Sequence, residues 1–161
     1  MNRKGIITAE EITRLVLPNG IVLLVRENHY TPSISLRGLI KAGAMYDGDE
    51  KAGLAQFTAS CLERGTKHRS YEQINKTLDG LGATLGLGAS DESAGFYGRC
   101  LTEDFDTLLA IVGDVLLDPT FPRYEVEKVR GEILTSLREA KNDTQWVAEY
   151  EFNRLTYPAG H

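Results

Sequence analysis

Long hydrophobic runs are absent from this sequence. The longest apolar runs are short, such as Ile21 to Val25, far below the roughly twenty residues that a membrane-spanning helix needs. Charged side chains interrupt the apolar ones throughout residues 1–20, so no signal-peptide core is visible. The sequence therefore predicts no membrane span, and it leaves the compartment open between cytoplasm and periplasm.

Cysteine is scarce, and an excess of positive charge is absent. The two cysteines, Cys61 and Cys100, form no Cys-x-x-Cys pair, which excludes a zinc ribbon or a disulfide framework. We expect two buried apolar side chains, although one disulfide between them stays open. The net charge of -5 argues against nucleic-acid binding, which needs clustered lysine and arginine. No Gly-x-Ser-x-Gly nucleophile motif and no phosphate loop is present.

What is present is a series of strand and helix patterns. With 161 residues, 42% of them apolar, the chain is long enough to bury a core. The order of elements predicts an α+β fold in which helices pack on one face of a mainly antiparallel sheet. Strands are predicted at 21–25, 33–40, 83–90 and 93–101, and helices at 53–64, 70–82, 105–116 and from 124 to 155 with a break near 142–143.

Three groups of short motifs occur in a characteristic order. They are Leu17 to Gly20 before a strand, then Lys41 to Asp47 leading into Ala52 to Phe57 and Glu63 to Thr66, and finally Asp118 to Phe121 leading into Glu125 to Lys128. In this order and spacing they resemble the insulinase-like peptidases, which include pitrilysin and the mitochondrial processing peptidase. The resemblance covers nearly the whole chain, and it implies the metallopeptidase fold of the LuxS and processing-peptidase type.

The resemblance also implies a zinc site, and here the sequence departs from the family. Family members carry an inverted motif, His-x-x-Glu-His, in which two histidines four apart on one helical face bind zinc and the glutamate acts as general base. The matching positions in this chain are Gln56, Ala59 and Ser60. A distal glutamate completes the ligand set in the family, and its position falls on Ser136, with Thr135 beside it. We therefore expect no zinc in this chain.

No other residues suggest a replacement metal site. The histidines His29, His68 and His161 have no partner at metal-ligand spacing and are interpreted as surface residues. Glu63 lies seven residues after Gln56, but a set of glutamine, glutamate and serine is a poor zinc site because zinc prefers imidazole and thiolate.

A further departure concerns peptide binding. In active relatives the strand after the second helix carries an Asn-Ala pair and binds extended peptide at its edge. The matching residues here are Gly86 and Leu87. Loss of the asparagine weakens this assignment, although an edge strand can bind peptide through backbone hydrogen bonds alone.

The resemblance implies two functions of different classes. The first is a non-catalytic subunit or domain that pairs with an active, zinc-bearing insulinase-like chain to form a proteolytic chamber. The alternative is a structural scaffold of the type found in the core subunits of respiratory complexes, and a stand-alone zinc endopeptidase is the least favoured interpretation. Residues 1–161 are expected to form the N-terminal part of one insulinase-like domain, because the sequence stops at His161 without a finished element.

Overall fold

The computed structural model describes residues 8–157, apart from the side chain of Asp49. The chain divides into two compact units, residues 1–32 and residues 33–161. Among the described residues, the first unit holds one β-hairpin and the second holds a three-stranded sheet with α-helices.

The hairpin of the first unit pairs β1, Thr13–Val16, antiparallel with β2, Val22–Val25. Its turn is closed by the N–H of Leu17, which donates to the carbonyl of Ile21 at 2.8 Å. Gly20 in this turn has a φ of +87°, where a side chain would be strained. The turn and β2 agree with the sequence prediction. β1 is not predicted, because a four-residue strand with one charged side chain gives too short a pattern.

The sheet of the second unit is antiparallel throughout. It consists of β3, Ser33–Ile40, β4, Thr84–Ala89, and β5, Ala94–Leu101, in the order β3-β5-β4. β5 is therefore central, and β4 lies at an edge of the sheet within the described part of the chain. The turn between β4 and β5 is tight, with the N–H of Ser90 donating to the carbonyl of Ser93 at 2.7 Å.

The helices of the second unit begin and end close to where their capping residues predict. Ser70 and Gln73 form a reciprocal capping box, and Gly82 ends the same helix at a φ of +58°. Asp143 accepts two backbone N–H groups and starts a new helix at the predicted break. No helix within residues 8–157 has the length and apolar character to cross a bilayer. The bounds are α1 Leu54–Leu62, α2 Tyr71–Leu81, α3 Phe105–Leu117, α4 Arg123–Ala140 and α5 Thr144–Thr156.

The core lies between one face of the sheet and helices α2 and α3. Cys100 on β5 is buried in it, and Leu85 and Leu87 on β4 pack against it from the edge strand. This arrangement confirms the predicted α+β fold with helices packed on an antiparallel sheet. The other buried members of the core are Ile74, Leu78, Ala83, Leu108, Ile111, Val112 and Val115.

The apolar spacing in the sequence also predicts the inward face of each helix, and these predictions are correct in α2 and partly wrong in α3 and α4. The predicted inward residues are Ile74, Leu78 and Leu81 in α2, Phe105, Leu108, Leu109, Val112 and Leu116 in α3, and Val126, Val129, Ile133 and Leu137 in α4. In α3, Leu109 is 46% exposed, whereas Ile111 and Val115 are completely buried. An almost continuous apolar run allows more than one helical phase, so periodicity could not select the buried face there. In α4, Val129 is buried as expected, but Leu137 is 48% exposed.

Candidate functional site

A loop before α1 is held against the turn between β4 and β5. The N–H groups of Ala44 and Met45 donate to the carbonyls of Ser90 and Asp91, both at 2.9 Å. Gly43 comes so close to the turn that a Cβ at this position would lie 2.4 Å from turn backbone atoms, including the Asp91 carbonyl oxygen. Any side chain at Gly43 would have to displace backbone, which explains a glycine here.

Asp47 at the end of this loop fixes the start of α1. Both of its carboxylate oxygens accept the backbone N–H of Ala55 at 3.1 Å. Gly53, directly before the helix, has a φ of +89° and contributes no side-chain cap. The carboxylate also lies where the helix dipole is positive, which stabilises a negative charge. The loop therefore links the β4–β5 turn to the first turn of α1.

The three residues that the sequence assigns to the inverted motif lie in α1, but they face different surroundings. Gln56 is exposed, and its Oε1 accepts the backbone N–H of Ala89 on β4 at 3.1 Å. Ser60 donates its hydroxyl to the carbonyl of Gln56 at 2.9 Å. Ala59 is buried, with only 4% of its surface exposed. The small alanine therefore belongs to the packed side of the helix.

The buried face of α1 differs from the predicted one. The sequence predicts Leu54, Phe57, Cys61 and Leu62 on the sheet side, but Leu54 is 43% exposed and Phe57 and Leu62 are only half-buried. Ala59 and Cys61 are the buried members. Apolar spacing alone could not reveal this, because the alanine carries too little hydrophobic weight to set the phase.

Ser136, which the sequence assigns to the position of the distal ligand, lies on α4 near an ion pair that joins the end of α1 to α4. Arg64, just after α1, contacts Glu132 at 3.2 Å and Glu125 at 3.9 Å, both on α4. Ser136 is one turn beyond Glu132, and Ser60 is one turn before Arg64. Each of the two serines therefore lies one helical turn from the same ion pair. The hydroxyl of Ser136 donates to the carbonyl of Glu132 at 3.1 Å.

These four side chains do not fit a zinc ion. Zinc in peptidases is held by imidazole and carboxylate groups, whereas the four positions supply one amide, one methyl group and two hydroxyls. Both hydroxyls donate to a carbonyl of their own helix, and the amide oxygen is bonded to β4. Among the described residues, no group of three or more His, Cys, Asp or Glu is placed to hold a metal.

The histidines are scattered. His29 is exposed and lies 3.2 Å from Glu27, and His68 is exposed and lies 3.9 Å from Asp118. His161 is outside the described residues. Lys67 also pairs with Asp118, and this pairing lowers the pKa of the Asp118 carboxyl. These exposed pairs are of the kind that contributes little to stability.

Glu63, a residue considered as a replacement ligand, lies at the end of α1 rather than within it. Its side chain is half-buried, and this burial raises the pKa of its carboxyl, although the neighbouring Arg64 opposes the shift. The two cysteines are buried and unpaired, and burial raises the pKa of both thiols. Cys61 and Cys100 thus behave as the predicted small apolar side chains, since a protonated thiol is a poor nucleophile.

The predicted peptide-binding residues, Gly86 and Leu87, are neighbours on the edge strand β4 and lie on opposite faces of the sheet. Leu87 packs against the core, so only its backbone faces the edge. Gly86 lies opposite Tyr97 on β5, whose ring covers it. A Cβ at Gly86 would lie 2.4 Å from Cε1 of this ring. An asparagine therefore could not occupy this position unless Tyr97 moved.

Three contacts of this region are not predicted from the sequence: Asp47 with Ala55, Gln56 with Ala89, and Tyr97 over Gly86. The first partner lies eight residues away and the second thirty-three. Only for the contact of Tyr97 with Gly86 does the sequence offer a signal, because Gly86 and Gly88 leave space on one face of β4.

Comparison with known proteins supports the resemblance. The family model of the insulinase peptidases, family M16, matches residues 22–159. An uncharacterized zinc protease of Rickettsia bellii is 28% identical over 140 residues, which cover 86% of this chain and 34% of the relative. The mitochondrial-processing peptidase subunit beta of Caenorhabditis elegans is 28% identical over 144 residues, covering 89% of this chain and 31% of that protein. The chain thus spans about a third of the length of these relatives.

A solved structure shows the same fold. The crystal structure of a peptidase M16 inactive domain from Pseudomonas fluorescens superimposes with a TM-score of 0.80 at 25% sequence identity. The match covers 87% of this chain and 34% of that one.

Proposed function

The chain belongs to the insulinase family of peptidases, and from this premise we propose that it is part of a non-catalytic domain of that family. One observation carries the proposal. Motif spacing assigns Gln56, Ala59, Ser60 and Ser136 to the positions of both histidines, the general base and the distal ligand, and none of these side chains is an imidazole or a carboxylate, although they lie on helices α1 and α4 of the family fold. The likeness to a protein described as an inactive domain supports the same conclusion.

We further propose that residues 1–161 form the N-terminal part of one insulinase-like domain, which pairs with an active, zinc-bearing chain or second half. A domain without ligands can still shape a chamber and contact substrate. The relative named as a subunit supports a role within an assembly. In this assembly zinc is bound only by the active member.

Peptide contact, in this proposal, uses the backbone of β4 near Gly86 and Leu87. The side chain of Leu87 is directed to the core, and Gly86 has none. Binding would therefore depend on edge hydrogen bonds, which confer affinity without strong preference for a side chain. This fits a domain that guides peptides to chemistry carried out elsewhere.

The test uses the full-length protein and a family member from the same organism that keeps an intact His-x-x-Glu-His motif, with the product of a neighbouring gene as the first choice. We expect the two proteins to copurify, and the mixture to cleave a fluorogenic peptide faster than the active chain alone. The control is an active chain in which the motif glutamate is changed to glutamine, because the mixture should then be inactive. Full activity of this protein without any partner would contradict the proposal, and copurification without any effect on cleavage would favour the scaffold role.

A further inference from the structure

The free edge of β4 has a defined set of hydrogen-bonding groups. In an antiparallel pair, opposite residues alternate between exchanging hydrogen bonds and directing their backbone groups away from each other. The bond from Ser90 to Ser93 marks that pair as a bonded one. Counting back along the register, Leu85, Leu87 and Ala89 direct their N–H and carbonyl groups to the outer edge.

One of these three edge amides already has a partner. The N–H of Ala89 donates to Oε1 of Gln56 at 3.1 Å. Within the described residues, the N–H groups of Leu85 and Leu87 have no partner beyond the edge. The edge is therefore already hydrogen-bonded at its Ala89 end, whereas α1, which packs beside β4, leaves the other edge amides without a hydrogen bond among the described residues.

The position of Gln56 is well fixed. Asp47 holds the first turn of α1 through Ala55, the residue before Gln56. The same loop is bonded to the β4–β5 turn, immediately after Ala89. Helix α1 and strand β4 are thus joined near both residues of the contact between Gln56 and Ala89. Oε1 of Gln56 is therefore held where an added strand would place its own carbonyl oxygen.

We infer that Gln56 acts as an end-stop on the edge of β4, so that an added peptide can pair with Leu85 and Leu87 but not with the N–H of Ala89. This inference rests on the peptide binding proposed above. At about 3.3 Å per residue, the end-stop shortens the available edge from about 13 Å to about 7 Å. A side chain at a former metal-ligand position thereby sets the register and the length of bound peptide.

The test compares the wild-type chain with Gln56→Met and Gln56→Glu. Methionine has a similar length and good helix propensity but offers no strong acceptor, whereas glutamate keeps a carboxylate oxygen for the N–H of Ala89. Because Gln56 is exposed, both variants should fold, which amide spectra verify. Without peptide, we expect the Ala89 amide to be protected from hydrogen exchange in the wild type and in Gln56→Glu, and to exchange faster in Gln56→Met.

Capped peptides of four and eight alternating threonine and valine residues then probe the edge. In the wild type and in Gln56→Glu, we expect them to shift the amides of Leu85 and Leu87 only, and the longer peptide to bind no more tightly. In Gln56→Met the Ala89 amide should also shift, and the longer peptide should bind about two- to twelvefold more tightly, the gain from one added hydrogen bond.

The outcomes separate this inference from the proposed function. Equal exchange of Ala89 in all three proteins, or identical peptide register and affinity, overturns the end-stop alone. If no peptide binds to any of the three, peptide binding at this edge is overturned, and the end-stop with it. A difference confined to Gln56→Met supports both.

Discussion

Asp47 binds the backbone N–H of Ala55 through both carboxylate oxygens, each at 3.1 Å, although the two residues are separated by eight positions. This contact holds α1, the helix with the residues assigned to the zinc motif, to a loop that also contacts the β4–β5 turn. The geometry of the site helix is therefore maintained by residues that do not depend on a metal.

Removing the cap should destabilise the chain. We expect Asp47→Ala to lower the free energy of unfolding by about 0.5–2 kcal/mol, since no other side chain caps α1 among the described residues. Asp47→Asn keeps an oxygen acceptor and should lower the free energy of unfolding much less. Urea denaturation of the three proteins measures the difference, and an Asp47→Ala variant as stable as the wild type would show that the cap is unimportant.

Gly43 and Gly80 form a matched pair of glycine substitutions with opposite expected signs. Gly43→Ala brings a Cβ to 2.4 Å from backbone atoms of the β4–β5 turn and should cost about 1–3 kcal/mol through overpacking. Gly80 lies inside α2, and a methyl group added there would have nothing within 4 Å, so Gly80→Ala should raise stability by up to about 1 kcal/mol. Thermal or urea denaturation measures both, and a neutral Gly43→Ala would mean that the turn yields easily.

Glu63 should give a pH-dependent effect. Because burial raises the pKa of its carboxyl above the ordinary value of 4.5, the folded state binds this proton more tightly than the unfolded state. Its contribution to stability is therefore present below pH 4.5 and is lost as the pH rises through the raised pKa. We expect Glu63→Gln to be more stable than the wild type at pH 7, with the difference shrinking as the pH falls through the raised pKa and disappearing below about 4.5.

Denaturation at a series of pH values measures this effect. Glu92→Gln serves as the control, because it removes one negative charge from an exposed turn position rather than from a half-buried one. A difference between Glu63→Gln and the wild type that is the same at every pH would contradict the explanation.

Restoring the zinc motif should restore metal binding without efficient proteolysis. In the combined variant Gln56→His, Ala59→Glu, Ser60→His and Ser136→Glu, the two imidazoles lie four residues apart on one helix. Efficient catalysis also needs partner groups that orient each ligand, and Ala59 is buried, so a glutamate must find room there. A fluorogenic peptide assay with added zinc and no partner is the measurement, and turnover near that of an active family member would show that the chain holds a complete site.

Local signals in the sequence predict most of the second unit. The Ser70 and Gln73 capping box, the Gly82 helix end and the Asp143 break all act within a few residues, so the sequence alone reveals them. The buried face of α3 is not determined in this way, because Leu109 and Ile111 are equally apolar and only the tertiary packing selects between them.

The same distinction between local sequence signals and tertiary packing applies to the candidate site. The assignment of Gln56, Ala59, Ser60 and Ser136 to the positions of the zinc motif is a prediction from motif spacing. The contact of Gln56 with Ala89 could not be predicted in this way, because only the fold brings Ala89 beside it. Similarly, nothing in the sequence around Gly86 predicts that the Tyr97 ring covers it. Contacts across the sheet depend on strand register, which the sequence patterns did not supply.

The zinc content of the purified chain tests the central claim most directly. After expression with zinc in the medium and dialysis against metal-free buffer, elemental analysis should find well below one zinc per chain, because Gln56, Ala59, Ser60 and Ser136 provide no ligand set. The combined four-residue variant, treated in the same way, shows that the analysis detects a zinc bound at this place. One tightly held zinc per wild-type chain, lost when Gln56 and Ser60 are changed to alanine, would contradict the account.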